Sequence, residues 1–283
     1  MLGAGELEWH HAADGTRLCI HRWVATGRTQ GHVLVVHGYA DHAGRYAELA
    51  SYLASSGFAV VAPDLRGHGR SEGRRGHLRN FEEYHADLAT GWALLPATSP
   101  RFVVAHSMGA LVALDYLTLG AKNHDLQLPS ATVVTSPFLA LAIAPPVFKL
   151  LLGRIAARVL PGLTLANGLV PEMLTRDATL AEAHRTDPLV FRTATAGWFA
   201  ATELAQQRVR ELRRFPTPLL YVYSDADPVA LPAANSRLAA QLAGPATQVI
   251  VRAADRHEVL NEIDRRELFD RILGFFEETG GAD

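Results

Sequence analysis

The chain has 283 residues, of which 48% are apolar and 20% charged, and its formal net charge is −2. This length and apolar content predict one large folded domain, or one domain with an insertion, and they exclude a disordered protein. The small net charge gives no electrostatic argument for a nucleic-acid partner. Since the sequence contains one cysteine, Cys19, no internal disulfide is possible.

The order of the predicted elements indicates an α/β protein. Two strand-like segments, residues 6–10 and 16–24, flank the turn signal of Asp14 and Gly15 and predict a β-hairpin. Apolar runs then alternate with helical periodicity, which predicts a mostly parallel sheet with helices on both faces. The later strands are expected at residues 33–37, 58–62, 102–105, 131–135, 218–223 and 248–251. Helices are expected at residues 45–55, 232–242 and 265–278. Two more helices are expected, one from a capping box at Asn80 and Glu83 to about residue 95 and one from Ser107 to residue 120.

Regular alternation stops between residues 138 and 206. Prolines such as Pro145, Pro161 and Pro171 separate short apolar helical pieces in this segment. Because linkers are polar, an apolar segment of this kind predicts an insertion that folds against the core. We therefore expect an α/β core formed by residues 1–137 and 207–283, with a helical cap or lid formed by residues 138–206.

Two features of the sequence bear on location. The first 20 residues contain no apolar core, so no signal peptide is expected. The most apolar stretch, residues 138–153, is interrupted by Pro145, Pro146 and Lys149, which argues against a membrane span. The sequence therefore predicts a soluble, cytoplasmic protein.

The most informative segment is residues 101–109, with the sequence RFVVAHSMG. An apolar strand ends at Ser107 and a helical pattern follows at once, which is the strand–turn–helix context of a nucleophile elbow. Ala105 and Gly109 flank the serine, where larger side chains would collide across the turn. Because such a pentapeptide also occurs by chance, its meaning depends on an acid and a base elsewhere in the chain.

An acid and a histidine follow predicted strands later in the chain. His257 lies between the last strand and the last helix, and its imidazole can accept the serine proton and return it to a leaving alcohol. Either Asp225 or Asp227 can orient this imidazole, since both follow a strand. All these residues lie at carboxyl ends of strands, where parallel sheets bind ligands. The order serine, acid, histidine is that of an α/β-hydrolase.

Attack on an ester builds negative charge on the carbonyl oxygen. Two backbone N–H groups usually meet this charge, one from the residue after the nucleophile and one from an early strand–helix loop. In this sequence they are expected to be the amides of Met108 and Tyr39. The sequence contains neither H-E-x-x-H nor a phosphate-loop pattern, so no metal ion and no cofactor is expected.

Further motifs match those of a known family. They are residues 37–42 (HGYADH), 44–46 (GRY), 64–73 (DLRGHGRSEG), 106–109 (HSMG), 136–137 (SP), 187–189 (DPL), 225–227 (DAD) and 257–262 (HEVLNE). Over nearly its whole length, the chain resembles the monoacylglycerol lipase and lysophospholipase group of the α/β-hydrolase superfamily. The resemblance implies Ser107 as nucleophile, Asp227 as acid, His257 as base, the amides of Tyr39 and Met108 as oxyanion donors, and a cap over the site.

The chain departs from the usual family pattern at two places. Ala105 and Ala110 stand where the family usually has glycine, and because both are small the elbow should be kept. Tyr39 replaces a small residue that is common in the family. Its side chain is expected either to narrow the pocket or to offer a hydroxyl to the head group of a substrate.

The apolar cap predicts where the substrate binds. Part of its apolar surface must pack on the core, and the remainder can accept an acyl chain or rest on a lipid aggregate. Besides Tyr39, the residues expected to bind substrate are Phe138, Leu139, Ile143 and Val147. Transient contact with a membrane or micelle surface through the cap would place the protein peripherally at a membrane.

The motifs and the family resemblance together predict a serine hydrolase that cleaves esters of monoacyl lipids. The main expected reaction is the hydrolysis of monoacylglycerol to fatty acid and glycerol, through an acyl-enzyme on Ser107. A short-chain carboxylesterase or a lysophospholipase with the same triad is an alternative. A non-catalytic ligand-binding protein on this fold is another, although it would not need Ser107, Asp227 and His257 together. The sequence leaves the oligomeric state, the acyl length and the head group open.

Overall fold

The computed structural model describes residues 5–123, 126–143 and 147–280, with the backbone alone for residues 123 and 147–152. The described strands fall into one eight-stranded sheet and one two-stranded sheet. In chain order they are β1 (Glu6–His11), β2 (Arg17–Trp23), β3 (Gly31–Val36), β4 (Phe58–Pro63), β5 (Arg101–His106), β6 (Ala131–Thr135), β7 (Thr164–Ala166), β8 (Thr193–Thr195), β9 (Leu219–Ser224) and β10 (Thr247–Arg252).

The large sheet has the strand order β1-β2-β4-β3-β5-β6-β9-β10. β1 and β2 form the predicted hairpin, β2 pairs antiparallel with β4, and the remaining pairs are parallel. The predicted α/β fold with a mostly parallel sheet is thus confirmed. Because β3 lies between β4 and β5, the chain changes direction across the sheet there, and ligands bind at the carboxyl ends of strands at such a point. The loops that carry Gly38 and Ser107 leave the sheet at this edge.

Helices cover both faces of the large sheet. Leu53 and Phe269 belong to a buried cluster on one face, and Leu88 and Leu111 belong to the cluster on the other. Each such side chain contributes about 1.5–3 kcal/mol through burial. The helices are α1 (Ala47–Ser55), α2 (Glu82–Ala93), α3 (Met108–Asn123), α4 (Val147–Val159), α5 (Ala178–Thr186), α6 (Ala196–Arg210), α7 (Pro232–Leu242) and α8 (Arg265–Gly280).

The start of α2 differs from the prediction. Phe81 precedes the first helical residue, and no side chain caps this end. The Glu83 carboxylate instead accepts hydrogen bonds from the amide and the guanidinium of Arg79. The predicted capping box of Asn80 and Glu83 is therefore wrong, because the guanidinium competes successfully for the carboxylate that the box requires.

The segment between β6 and β9 contains α4, α5, α6 and the small sheet, in which β7 pairs antiparallel with β8. α6 packs against α3 of the core and against α4. It continues to Arg210, four residues past the boundary predicted at residue 206. We keep the name cap for residues 138–206, as a proposal about this segment. None of the described helices is both long enough and apolar enough to cross a membrane.

Candidate active site

Ser107 stands at a sharp turn between β5 and α3. Its backbone has φ of 54°, in the left-handed region that non-glycine residues rarely adopt and that costs about 1–3 kcal/mol. A Cβ atom at Gly109 would lie 2.4 Å from the carbonyl oxygen of His37 and 2.5 Å from that of Val36. The turn thus requires glycine at position 109, and it presents the serine hydroxyl at the N-terminus of α3, as the sequence predicts.

A hydrogen-bonded chain joins Ser107, His257 and Asp227. The His257 Nε2 atom lies 2.7 Å from Ser107 Oγ, and its Nδ1 atom lies 2.7 Å from Asp227 Oδ2. The other carboxylate oxygen of Asp227 accepts the amides of Val229 and Ala230, at 2.8 Å and 3.0 Å. The loop after β9 therefore fixes the carboxylate, the carboxylate fixes the imidazole, and the imidazole can accept the serine proton.

The geometry distinguishes the two candidate acids. Asp225 is exposed and accepts a hydrogen bond from the amide of Ala254 at 3.2 Å, away from the imidazole. Asp227 is buried and contacts His257 directly. The structure thus places Asp227 in the position that the family resemblance implies, and Asp225 in the turn.

Burial and ion pairing set the protonation states. Burial lowers the pKa of His257, but the Asp227 carboxylate raises it, and the net pKa is raised. Burial raises the pKa of Asp227, but His257 and two backbone amides bring it below its usual value. The neighbouring ring of His106 lies 5.0 Å from that of His257, and burial lowers its pKa to about 4. His106 donates to or accepts from Thr135 Oγ1 at 2.9 Å, so it packs beside the site as a neutral ring.

The loop after β3 lies directly against the elbow. A Cβ atom at Gly38 would lie 3.4 Å from the Cβ atom of Ser107. Within residues 5–123, 126–143 and 147–280, the amides of Tyr39 and Met108 donate no hydrogen bond to another group. Free amide donors near a serine hydroxyl suit the stabilisation of an oxyanion.

Ser107 and His257 open into a cavity of about 550 Å³. Most of its wall is apolar, and the cap contributes much of this surface. Asp41, Glu258 and His184 also line it and form a polar patch. The larger apolar lining residues include Phe138, Leu141, Leu163, Leu165, Leu169, Leu174, Trp198 and Phe199.

The residues predicted to bind substrate divide into two groups. Tyr39 and Phe138 line the cavity, and their contact with substrate stays a prediction. Leu139 does not, because its side chain turns into the core and is fully buried there. Ile143 does not line the cavity either, since it is 77% exposed at the surface. The side chain of Val147 lies outside the described part of the chain.

A buried ionic network lies beside His257 and was not predicted from the sequence. The Arg45 guanidinium donates to both oxygens of Glu258, at 2.7 Å each, and to Asp41 at 3.0 Å. Tyr46 donates its hydroxyl to Asp41 at 2.9 Å. This network joins the start of α1 to the residue after His257. The motif at residues 44–46 contains Arg45, but its partner is 213 positions away in the chain and no local pattern indicates it.

Ligand atoms of Cys19, His21 and Asp64 lie within 4.8 Å of one another in the core. The Asp64 carboxylate already accepts the amides of Ala43 and Arg70, at 2.8 Å each. Burial raises the pKa of the Cys19 thiol to about 11, which disfavours the thiolate that a metal ion requires. We therefore interpret these residues as structural.

Known proteins resemble this chain in sequence and in fold. The family model "Serine aminopeptidase, S33" matches residues 27–264. A monoacylglycerol lipase of Mycolicibacterium smegmatis is 30% identical over 267 residues, which cover 92% of this chain and 93% of that protein. An abhydrolase domain-containing protein of Dictyostelium discoideum is 28% identical over 94% of this chain, but the chain spans 28% of its length. The crystal structure of Paleococcus ferrophilus monoacylglycerol lipase superposes with a TM-score of 0.78 at 26% identity, over 93% of this chain and 99% of that one.

These findings confirm the fold and the family that the motifs indicate. The family model covers most of the chain, and the mycobacterial relative is matched over nearly its full length. The chain therefore belongs to the serine aminopeptidase S33 family of α/β hydrolases, and is a serine ester hydrolase of the monoacylglycerol lipase and lysophospholipase type.

Proposed function

We propose that this enzyme hydrolyses esters of monoacyl lipids, foremost monoacylglycerol to fatty acid and glycerol, with Ser107 as nucleophile. One observation carries the proposal: the hydrogen-bonded chain of Ser107, His257 and Asp227 opens into a large, mostly apolar cavity. A serine hydroxyl needs a base within hydrogen-bonding reach, and here it has one. An apolar wall suits an acyl chain better than a polar substrate.

Acylation follows from the positions of the three side chains. Ser107 Oγ attacks the ester carbonyl carbon as its proton passes to His257 Nε2, and Asp227 stabilises the imidazolium. The negative charge that forms on the carbonyl oxygen faces the amides of Tyr39 and Met108. When the tetrahedral intermediate collapses, the carbon–oxygen bond to glycerol breaks, and the glycerol oxygen takes the proton from His257.

Deacylation repeats these steps with water. His257 accepts a proton from water as the water oxygen attacks the carbonyl carbon of the acyl-enzyme. The second tetrahedral intermediate then releases the fatty acid, and Ser107 Oγ regains its proton from His257. The Asp227 carboxylate keeps the same orientation in both half-reactions, because the amides of Val229 and Ala230 hold it.

The cavity lining suggests how the substrate is oriented. The acyl chain would lie along apolar residues of the proposed cap, such as Leu165, Leu169 and Phe199. The hydroxyl groups of glycerol would face the carboxylates of Asp41 and Glu258, which can accept hydrogen bonds. This arrangement favours a monoacylglycerol over a diacylglycerol, since one end of the cavity is polar.

We also propose that the cap contacts the lipid surface from which the substrate is taken, while the protein itself stays cytoplasmic or peripheral. Several large apolar side chains of the cap are exposed, and two of them, Leu163 and Leu165, also line the cavity. Exposed apolar side chains concentrated in one segment suit contact with a lipid surface. These side chains are Ile143, Ile155, Val159, Leu160, Leu163, Leu165, Val170 and Leu204.

The test compares initial rates on monoacylglycerols of increasing chain length, a short p-nitrophenyl ester and a lysophospholipid. Each assay is repeated with Ser107→Ala. A rate optimum on medium or long monoacylglycerols that is lost in the variant is the expected result. Activity on the short ester alone would mean that the enzyme is a carboxylesterase and not a lipase. Preference for the lysophospholipid would mean that the substrate carries a phosphate head group and not glycerol alone.

A second measurement addresses the nucleophile itself. A fluorophosphonate should label the wild-type protein at Ser107 and leave Ser107→Ala unlabelled, with the melting temperature of the variant unchanged within a few degrees. Labelling at another residue, or hydrolysis that survives in the variant, would refute the assignment of Ser107. A protein that binds monoacylglycerol without turnover and without labelling would instead be a ligand-binding protein.

A further inference from the structure

The side chain of Tyr39 leaves the active-site loop and contacts the cap. Its hydroxyl donates a hydrogen bond to the carbonyl oxygen of Thr193, in β8, at 2.6 Å. Its ring lies 3.9 Å from that of Trp198 in α6 and 5.3 Å, edge-on, from that of Phe191, measured between ring centres. The hydroxyl is thus bonded to the protein and is not offered to the head group of a substrate, one of the two roles expected from the sequence.

β8 is itself held against the core. The amide and the hydroxyl of Thr195 both donate to the carbonyl oxygen of Gly76, at 2.9 Å each. The hydroxyl of Tyr39 therefore bonds to a strand that is attached at its far end. Burial raises the pKa of Tyr39, so the hydroxyl stays protonated and can donate this hydrogen bond at neutral pH.

A second contact joins the same loop to the cap on the other side. His42 Nε2 lies 2.8 Å from Asp187 Oδ2, directly after α5. The two contacts attach residues 39–42 to residues 187–193 at both ends. Between them lies Ala40, whose φ of 55° puts the loop in a strained conformation that the surroundings must hold.

We propose that these two contacts form a clamp through which the cap positions the amide of Tyr39 as an oxyanion donor. The inference rests on the function proposed above, because it assumes that this amide meets the developing charge. In the clamp, the side chain of Tyr39 is a positioning group and its own backbone is the group positioned. Loss of one oxyanion donor lowers the rate by about 10²–10³-fold, and displacement of this donor should lower the rate by a smaller factor.

The clamp differs in a measurable way from a simpler role for Tyr39 as a wall of the acyl pocket. A wall affects substrates according to the length of their acyl chain. A misplaced oxyanion donor affects every ester, including an acetyl ester too short to reach the cap. Tyr39→Phe separates the two roles, because it keeps the ring and the cavity volume and removes the bond to Thr193.

The experiment measures kcat and KM for Tyr39→Phe on p-nitrophenyl acetate and on a long-chain monoacylglycerol. Tyr221→Phe is the matched control, because Tyr221 also donates one buried hydrogen bond, at 2.7 Å, but to Asn235 of α7 and not to the cap. We expect kcat of Tyr39→Phe to fall about tenfold on both esters, with KM little changed and Tyr221→Phe near wild type. Affinity for a trifluoromethyl ketone, which forms an oxyanion on Ser107, should fall by the same factor.

Asp187→Ala tests the other contact without changing the loop. It should also lower kcat on the acetyl ester, whereas Asp177→Ala, which removes the N-cap of α5 but no contact with the loop, should not. The clamp is overturned if Tyr39→Phe and Asp187→Ala, each folded by its melting temperature, keep wild-type kcat on the acetyl ester, or if Tyr39→Phe changes the long ester alone.

The failure of the clamp and that of the proposed function give different results. If Ser107→Ala is inactive while Tyr39→Phe behaves as wild type, the nucleophile stands and the clamp is wrong. If Ser107→Ala keeps its activity on the acetyl ester, the proposed function is wrong and the clamp with it. If Tyr39→Phe does not fold, the kcat of Asp187→Ala alone decides.

Discussion

Asp225 and Asp227 are two positions apart, carry the same carboxylate and differ in what they contact. Asp227→Asn should lower kcat by about 10³–10⁴-fold, because an amide favours the wrong tautomer of His257 and cannot stabilise its cation. Asp225→Asn removes a charge only two positions from Asp227, but the new side chain can still accept the amide of Ala254. Its kcat should therefore stay within about twofold of wild type. Initial rates on one monoacylglycerol measure both, and equal losses would show that the imidazole has no single partner.

The acidic residue after His257 gives a prediction about pH. His257 must be neutral to accept the serine proton, so activity falls as pH decreases through its raised pKa. Asp227 contributes most to the raised value, and the buried carboxylate of Glu258 adds to it. Glu258→Gln removes that charge, so the acidic limb of the kcat/KM profile should move to lower pH.

The control for this shift is Glu267→Gln, at an exposed glutamate on α8. Its profile should overlay that of the wild type. A limb that moves equally in both variants, or moves to higher pH in Glu258→Gln, would contradict the electrostatic reason given for it. Melting temperatures are needed alongside, because Glu258→Gln leaves Arg45 with Asp41 as its remaining carboxylate partner among the described contacts.

The sequence predicts which polar side chains meet at the elbow better than it predicts which apolar side chains line the pocket. Ser107, Asp227 and His257 follow strands, and the carboxyl ends of parallel strands meet at one edge, so topology brings them together. Leu139 and Ile143 lie in irregular backbone, where no period of two or 3.6 residues determines which way a side chain points. Their burial and exposure follow from packing that only the three-dimensional structure shows.

The elbow between β5 and α3 depends on a glycine, because the backbone at the end of β3 passes close to it. In Gly109→Ala, the added methyl group would lie 2.4 Å from the carbonyl oxygen of His37, and backbone cannot rotate away as a side chain does. We expect a loss of about 2–3 kcal/mol in the free energy of unfolding and a large loss of activity. Gly274→Ala in α8 is the matched control, because its nearest atom lies 3.9 Å away at the end of Arg271.

That control should be stabilised by about 0.5–1 kcal/mol, since alanine is the better helix former. Urea denaturation of both variants and of the wild type measures the changes in the free energy of unfolding. If Gly109→Ala were as stable as wild type, the elbow would be less tightly packed than the structure indicates. If both variants were destabilised equally, the loss would come from glycine replacement in general and not from the contact with His37.

Element boundaries were predictable where the chain itself marks them. Pro232 starts α7, and a buried strand run ends at Thr135, both at the positions expected. The start of α2 was not predictable in this way. Asn80 and Glu83 match the pattern of a capping box, but the Glu83 carboxylate binds Arg79 instead. The end of α6 at Arg210 also escaped prediction, since no proline or glycine interrupts its pattern near residue 206.

At the scale of the whole molecule, the two edges of the large sheet differ in what surrounds them. The carboxyl edge carries Ser107, Asp227 and His257 and the cavity, which the exposed cap residues Leu163 and Leu165 help to line. Val24 lies at the opposite edge, because it follows Trp23, which pairs with Val60 near the start of β4. An enzyme that takes its substrate from a lipid surface should approach that surface with the carboxyl edge.

This orientation leads to a prediction with a closely matched control. Val159 and Val24 are each 71% exposed, but the first lies at the end of α4 in the cap and the second lies at the far edge. Val159→Asp should reduce the fraction of protein that co-sediments with phosphatidylcholine vesicles containing monoolein, because burying a carboxylate in an apolar interface costs several kcal/mol. It should lower the rate on vesicular monoolein severalfold and leave the rate on p-nitrophenyl acetate unchanged.

Val24→Asp adds the same charge at a site of the same exposure, so it controls for charge and for general stability. Vesicle binding and both rates should equal those of the wild type. Equal losses in the two variants would mean that charge alone weakens binding to the vesicles. Wild-type binding by Val159→Asp would mean that the apolar cap surface does not face the lipid, and the enzyme would then take its substrate as a monomer from water.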